Sequence, residues 1–296
     1  MSLSRGLLSS LVIILVVICT LLLTISGVWA EEIDFESGGI KRNFILEYDK
    51  EKLKNPAPLV MIFHGGGGNS SWMKRHSKKL TKLLKKSGYM VAFMNGTGRF
   101  KLINSNVWNA RYCCGVAAKN NVDDVAYIDK AIDIIASKYS IDTGSIFLIG
   151  HSNGGMLAYR AAATMRHRVK AVVVVSTAIF SDQPRPKRPF SLFMIHAKDD
   201  EILPYNGGMS TNKKARRTQT RPYMAFEDAV SLWSDYLCCG KENSLRLSGI
   251  GIAGNYDCSG GNRLQVLYLE KGGHKWNKEI DGFSISQVIA SFIARK

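Results

Sequence analysis

Residues 42–48 (RNFILEY) alternate between polar and apolar in the manner of a strand, whereas Leu59-Val60-Met61-Ile62-Phe63 is a short, continuous apolar run. Continuous runs of that length suit strands buried on both faces of a parallel sheet. Residues 91–94, 145–149, 169–175, 190–195 and 264–269 have the same character. Between these runs the apolar spacing turns helical, over residues 71–86, 122–138, 154–165, 223–237 and 284–294. Strand and helix alternate along the chain. That pattern predicts an α/β fold in which a mostly parallel sheet carries helices on both faces within one domain. The first predicted helix is amphipathic and strongly basic: Lys74, Lys78, Lys82 and Lys86 recur at steps of four, while Met73, Leu80 and Leu84 line another face.

A different kind of segment precedes this pattern. No charged residue lies between Arg5 and Glu31, residues 11–23 are almost wholly apolar, and Val28-Trp29-Ala30 places small residues where a signal peptidase reads. These features predict a leader over residues 1–30, cleaved after Ala30, and a folded chain over residues 31–296. The apolar run is also long enough to suit an uncleaved membrane anchor. Either way, Arg5 before the run and Glu31-Glu32 after it direct the body of the protein out of the cytosol. The expected location is therefore secreted or periplasmic, or membrane-anchored if the leader stays.

Composition narrows the class. With 296 residues, 46% hydrophobic and 22% charged, the chain is globular, and disordered, collagenous and coiled-coil classes are excluded. The formal net charge of +16 predicts attraction to anionic partners such as a negatively charged envelope surface. No module or interleaved aromatic platform marks specific nucleic-acid binding. Beyond the leader stand Cys113, Cys114, Cys238, Cys239 and Cys258, without zinc-ligand spacing, so two disulfides and one free thiol are expected and no metal. Cys258 is expected to pair with Cys238 or Cys239, closing a loop of about twenty residues that adds roughly 3 kcal/mol.

The candidate chemistry sits at the ends of predicted strands. Gly150-His151-Ser152-Asn153-Gly154 follows the strand at 145–149 and opens the helix at 154–165, which is the setting a strand-to-helix nucleophile turn requires. His64-Gly65-Gly66-Gly67-Gly68 follows the strand at 59–63, where glycines let backbone N–H groups approach a developing oxyanion. A phosphate cradle would need a G-x-x-x-x-G-K-[ST] run, which is absent. A serine nucleophile needs a histidine base and an orienting carboxylate, in the chain order Ser, acid, His. After Ser152 come His167, His196 and His274. His167 lies at a basic helix end and His196 precedes any candidate acid, which leaves His274, in a Gly-Gly-His loop after the strand at 264–269. Asp199 and Asp200 follow the strand at 190–195, whereas Asp123 and Asp124 precede the serine and read as helix N-terminal charges.

These motifs, with Trp108-Asn109, Cys113-Cys114-Gly115, Asn121-Val122-Asp123-Asp124-Val125, the His196–Gly208 stretch HAKDDEILPYNGG and Gly272-Gly273-His274-Lys275-Trp276, make the chain resemble the secreted esterases of the polyhydroxybutyrate depolymerase and feruloyl esterase group, within the α/β-hydrolases. The resemblance implies a single α/β-hydrolase domain, Ser152 as nucleophile, Asp200 as acid and His274 as base. It further implies an oxyanion pocket from the N–H groups of Gly66 and Asn153, and no cofactor. Relatives often carry cysteine in place of Gly66 and proline in place of Asn277. Trp108, Tyr205 and Trp276 are candidates for lining the substrate site, with core packing as the other role open to them. The expected activity is carboxylic-ester hydrolysis of short-chain hydroxyalkanoate oligomers or aryl esters. Feruloyl or acetyl-polysaccharide esters are the alternative substrates, and a catalytically silent secreted binding protein is the alternative from another class.

Overall fold

The computed structural model describes residues 27–98, 105–276, 279–280 and 282–295. Its main sheet is built from β1 (Val28–Ser37), β2 (Ile40–Asp49), β3 (Ala57–Phe63), β4 (Met90–Met94), β7 (Ile141–His151), β8 (Ala171–Val175), β9 (Ser191–Ala197), β10 (Asn243–Leu247), β11 (Gly251–Asp257) and β12 (Arg263–Leu269). Two short ribbons pair β5 (Thr97–Gly98) with β6 (Asn106–Val107) and β13 (Glu279–Ile280) with β14 (Phe283–Ser284). The helices are α1 (Ser70–His76), α2 (Lys78–Lys86), α3 (Gly115–Lys119), α4 (Asp124–Lys138), α5 (Asn153–Thr164), α6 (Lys213–Arg216), α7 (Phe226–Tyr236) and α8 (Ile285–Ala294).

Side by side, the strands run β1-β2-β4-β3-β7-β8-β9-β12-β11-β10. From β4 to β12 every pairing is parallel. Antiparallel strands close both margins, β2 and β1 on one side and β11 and β10 on the other. Successive side chains of a strand point to opposite faces. Accordingly β3 sends Leu59, Met61 and Phe63 into one core, closed by α4, α5 and α7, and Val60 and Ile62 into the other, closed by α1, α2 and α8. With both faces covered, no polar alternation is needed, which is why the central strands read as continuous apolar runs.

The expected elements occur with small shifts, and the single helix expected at 71–86 is divided at Ser77, which caps the end of α1 and the start of α2. Sequence reading missed β1, β10 and β11. β10 is almost wholly exposed, so it carries no apolar face to detect. β1 starts within the expected leader, whose last three residues form its first three positions, and runs on to Ser37. The expected leader lies outside the described residues up to residue 26, but its last three residues, Val28, Trp29 and Ala30, pair with Asp49, Tyr48 and Glu47 of β2. Cysteines 239 and 258 are joined across 19 positions, Cys113 bonds to Cys114, and Cys238 is free and exposed.

Candidate active site

The carboxyl ends of β7, β9 and β12 all open at one edge of the sheet, the place where open α/β sheets hold their ligands. Ser152 sits between β7 and α5 at φ 53°, ψ −123°, a conformation that a residue with a side chain adopts only under constraint. The constraint is packing. A methyl group on Gly150 would collide with the backbone of Gly154, and one on Gly154 would collide with the carbonyls of Phe63 and His64. The turn is tied down further by Ser152 N–H donating to Val175 O at 3.0 Å and by the Thr177 hydroxyl donating to Ser152 O.

His274 Nε2 stands 2.8 Å from Ser152 Oγ, and its Nδ1 lies 2.9 and 3.1 Å from the two carboxylate oxygens of Asp200. Asp200 is itself held, since Oδ1 accepts the backbone N–H groups of Ile202 at 2.9 Å and Leu203 at 2.8 Å. Burial opposes its charge. The hydrogen bond and charge of His274, the charge of His196 and the Leu203 N–H outweigh that penalty and hold the carboxyl below its ordinary range. Its neighbour Asp199 does a different job: Oδ1 accepts both Gly272 N–H and Gly273 N–H at 2.7 Å, fixing the loop that carries His274. His196, buried behind the acid, has its ring nitrogens 3.1 and 3.0 Å from the carbonyls of Thr177 and Leu203, so it joins the loop after β8 to the loop after β9.

On the other side of Ser152 the construction is of backbone and neutral rings. Gly66 and Asn153 are neighbours, and a methyl added at Gly66 would stand 3.8 Å from Asn153 Cβ. The Asn153 side chain accepts from Trp108 N–H at 2.7 Å and donates to Trp108 O at 3.1 Å. Trp108 in turn donates its indole N–H to His64 O at 2.8 Å. His64 lies against the Trp108 ring and accepts from Gly96 N–H at 3.0 Å, so it remains unprotonated, and burial brings its pKa down to about 4. His151, packed 5.1 Å from the His274 ring, is brought down to about 3 by burial, with a contribution from the His274 charge.

Beneath this layer lies a buried ion pair that sequence reading did not find. Asp123 does cap α4, accepting from Ala126 N–H at 2.9 Å. Asp124 is the first residue of α4, an acid in the helix's first turn as expected, and it has a second role. It is fully buried, accepts Arg42 at 2.7 Å, and accepts Asn109 N–H at 2.7 Å. Burial raises its pKa, against the opposing pull of Arg42. The signal was present in the alternation of β2, where Arg42 shares the buried face with Phe44, Leu46 and Tyr48. A guanidinium placed there requires a buried acid.

The three aromatic residues expected to line the substrate site are otherwise occupied. Trp108 is 0% exposed and braces Asn153 and His64. Tyr205 is packed against Phe226 and donates its hydroxyl to Glu227, and Trp276 is buried against His151. Each has its ring turned into protein by the packing of the loop that carries it. Asn277 lies outside the described residues.

A family model described as serine aminopeptidase S33 matches residues 54–194. Feruloyl esterase B of Piromyces equi is 25% identical over 225 residues, covering 74% of this chain and 39% of that protein. The probable feruloyl esterase C of Aspergillus clavatus is 34% identical over 97 residues, covering 33% of this chain and 36% of the other. The chain thus spans well under half the length of these curated relatives. Among solved structures, the acetyl xylan esterase from Aspergillus awamori superposes with a TM-score of 0.59 at 12% identity, over 90% of this chain and 98% of that one.

Proposed function

We propose that this chain, an α/β-hydrolase by fold, is a serine carboxylic-ester hydrolase acting outside the cytosol. One observation carries the reading: Ser152, on a constrained turn, His274 and buried Asp200 stand in one hydrogen-bonded line at 2.8 and 2.9 Å. In the proposed reaction His274 Nε2 takes the Ser152 proton as Oγ attacks the ester carbonyl. Asp200 holds the imidazole by Nδ1 and balances its charge. The N–H groups of Gly66 and Asn153 receive the oxyanion, the alcohol leaves with the proton from His274, and water then releases the acid from the acyl-enzyme by the same route. The names of the relatives favour feruloyl or acetyl-polysaccharide esters over hydroxyalkanoate oligomers as the substrate class.

Activity of the wild type and of Ser152→Ala on p-nitrophenyl, methyl ferulate, acetyl-xylan and hydroxybutyrate-oligomer esters tests this. The variant is expected to lose about 10⁴-fold or more. Retention of a tenth of the wild-type rate by a folded Ser152→Ala protein would refute the assignment. The extracytoplasmic part of the reading is supported by the leader pattern and the cysteine pairs. N-terminal sequencing of exported protein is expected to begin at Glu31, and a full-length chain in the membrane fraction would support the anchor instead.

A further inference from the structure

The wall next to Ser152 is apolar. Met156, in the first turn after the serine, clusters with Ala110, Cys113, Ala178, Phe180, Leu203 and Tyr223. Above that wall the chain turns strongly basic. Trp108 holds Asn153, and Arg111 follows three residues later, at most about 11 Å along an extended backbone. Arg111 adopts φ 68°, unusual for a residue with a side chain, and its N–H is fixed on Asn109 Oδ1 at 3.0 Å. Its guanidinium contacts Asp182 at 3.2 Å. Arg221 stacks on the Tyr112 ring at 4.0 Å and stands 3.6 Å from the same Asp182. Tyr112 packs on Phe180 of the wall.

Arg221 closes a segment, residues 209–222, that contains five basic residues and no acidic one. This segment is a built loop. Its two ends are bridged at Gly208 and Tyr223. Buried Gln219 accepts from Ser210 N–H and donates to the carbonyls of Gly208 and Arg221, and Thr220 donates to Tyr112 O at 3.1 Å. Lys213, Arg216, Arg217 and Arg221 are all exposed. Among the described residues the carboxylate in contact with Arg111 and Arg221 is Asp182, held below its ordinary range by the Tyr112 hydroxyl and the two guanidinium groups, and it neutralises a single charge. Lys213, Arg216 and Arg217 carry the positive surface on along the same loop, facing solvent.

Resting on the ester-hydrolase reading, we infer that this rim is a subsite for the carboxylate groups of an anionic substrate, so that the preferred ester is carried on an acidic scaffold such as a uronic-acid oligosaccharide. Guanidinium groups bind carboxylates in planar, two-point fashion, and a cluster of like charge beside an active site raises the local concentration of an oppositely charged substrate. A solvated surface loop would be indifferent to the substrate's charge. This one is tied to the Tyr112 turn that leads to Asn153.

The test compares kcat/KM for p-nitrophenyl valerate with that for the mono-p-nitrophenyl ester of glutaric acid, which differs by one carboxylate. At low salt the wild type is expected to favour the anionic ester about tenfold, and screening at molar salt is expected to bring the ratio near one. Arg111→Gln/Arg221→Gln and, as a separate exposed-site variant, Arg216→Glu/Arg217→Glu are each expected to lower the low-salt ratio several-fold. A wild-type ratio near one at low salt, or an unchanged ratio in both variants, overturns the subsite. Calorimetric titration of Ser152→Ala protein with tetragalacturonate and with neutral maltotetraose gives a second readout that does not need turnover. Salt-sensitive binding of the acidic sugar alone supports the subsite, and equal or absent binding of both overturns it. Failure of the wild type to cleave any ester would instead break the ester-hydrolase reading.

Discussion

The two sides of Ser152 are built on opposite principles. On one side, Asp200 stands 2.9 Å from His274 Nδ1 and 3.5 Å from His196 Nε2, so three titratable groups gather at the carboxyl ends of β12 and β9. On the other, Gly66, Asn153, Trp108 and His64 present amide dipoles and neutral rings, with the Arg42–Asp124 pair one layer below, where Asp124 accepts the Asn109 N–H. In the proposed reaction the first side works by protonation, so its chemistry follows pH and the identity of a few atoms. The second works by position. Oriented dipoles stabilise charge without reorganising, provided that the backbone holding them does not move. A change on the first side should therefore act through proton transfer, and a change on the second through stability and the placement of backbone.

The largest effect that can break this comparison belongs to Asp200, the proposed acid. Asp200→Asn removes the charge that holds the His274 tautomer and balances the imidazolium, and such a change is expected to cost about 10⁴ in kcat. Asp199→Asn keeps an amide oxygen able to accept from Gly272 and Gly273, so it is expected to lose less than about tenfold. Steady-state kinetics on both variants decides, and the reverse ranking would move the acid role to Asp199.

Next in size is Arg42→Met. It strands Asp124 without its cation in a fully buried site, with an expected loss of about 3–5 kcal/mol in unfolding free energy by urea titration. Arg42 also donates to Asn95 O at 3.2 Å and stacks on Tyr127 at 3.8 Å, so lost packing adds to the cost. The double variant Arg42→Met/Asp124→Leu should recover most of the loss, because an apolar pair of similar volume leaves no charge uncompensated. In both variants the remaining activity should keep the wild-type pH profile. A profile that moves with Arg42 would show that the two sides are not separate.

How far the sequence revealed these arrangements follows from what each depends on. The central strands and the turn at Ser152 were legible because burial on both faces and a tight strand-to-helix junction dictate residue types locally. The pairing of Cys258 was narrowed to two partners by position alone, and the choice of Cys239 needed the bridge between Cys239 and Cys258 in space. Trp108 was noticed but left open between substrate and core, because an aromatic beside a motif looks the same in either setting. The ion pair of Asp124 was missed for a related reason. Its partner lies 82 positions away, and the helix start at Asp124 offered a local explanation that satisfied the charge. The marginal strands β1, β10 and β11 depend on pairing with neighbours more than on side-chain burial, and pairing leaves little trace in composition.

The smallest effect sharpens the comparison from the positional side. His64 and His151 titrate at about 4 and about 3 because they are buried, whereas an unfolded chain binds their protons near pH 6.5. The sign follows from proton counts. Above about pH 6.5 both states hold these rings neutral and they leave stability unchanged. As pH falls from there toward 4, the unfolded state takes up protons that the native state refuses, so stability declines. At pH 5 each ring is expected to account for about 2 kcal/mol of that decline, from about 1.36 kcal/mol for each pH unit below its unfolded value. His196, lowered in the same direction by burial, adds to it. Carboxylates held below their ordinary range, Asp200 and Glu47 among them, enter only as pH drops into the ordinary carboxylate range, while buried Asp124, raised above that range, takes up its proton earlier in the folded state and works against the histidine trend, so the histidine share is read from the His64→Gln comparison. Urea midpoints measured across that interval should fall steadily with acidification, and His64→Gln should reduce the slope whatever it does to absolute stability. A stability curve flat from pH 7 to 5 would mean that these rings accept protons in the folded state, and the neutral wall beside Gly66 and Asn153 would have to be abandoned.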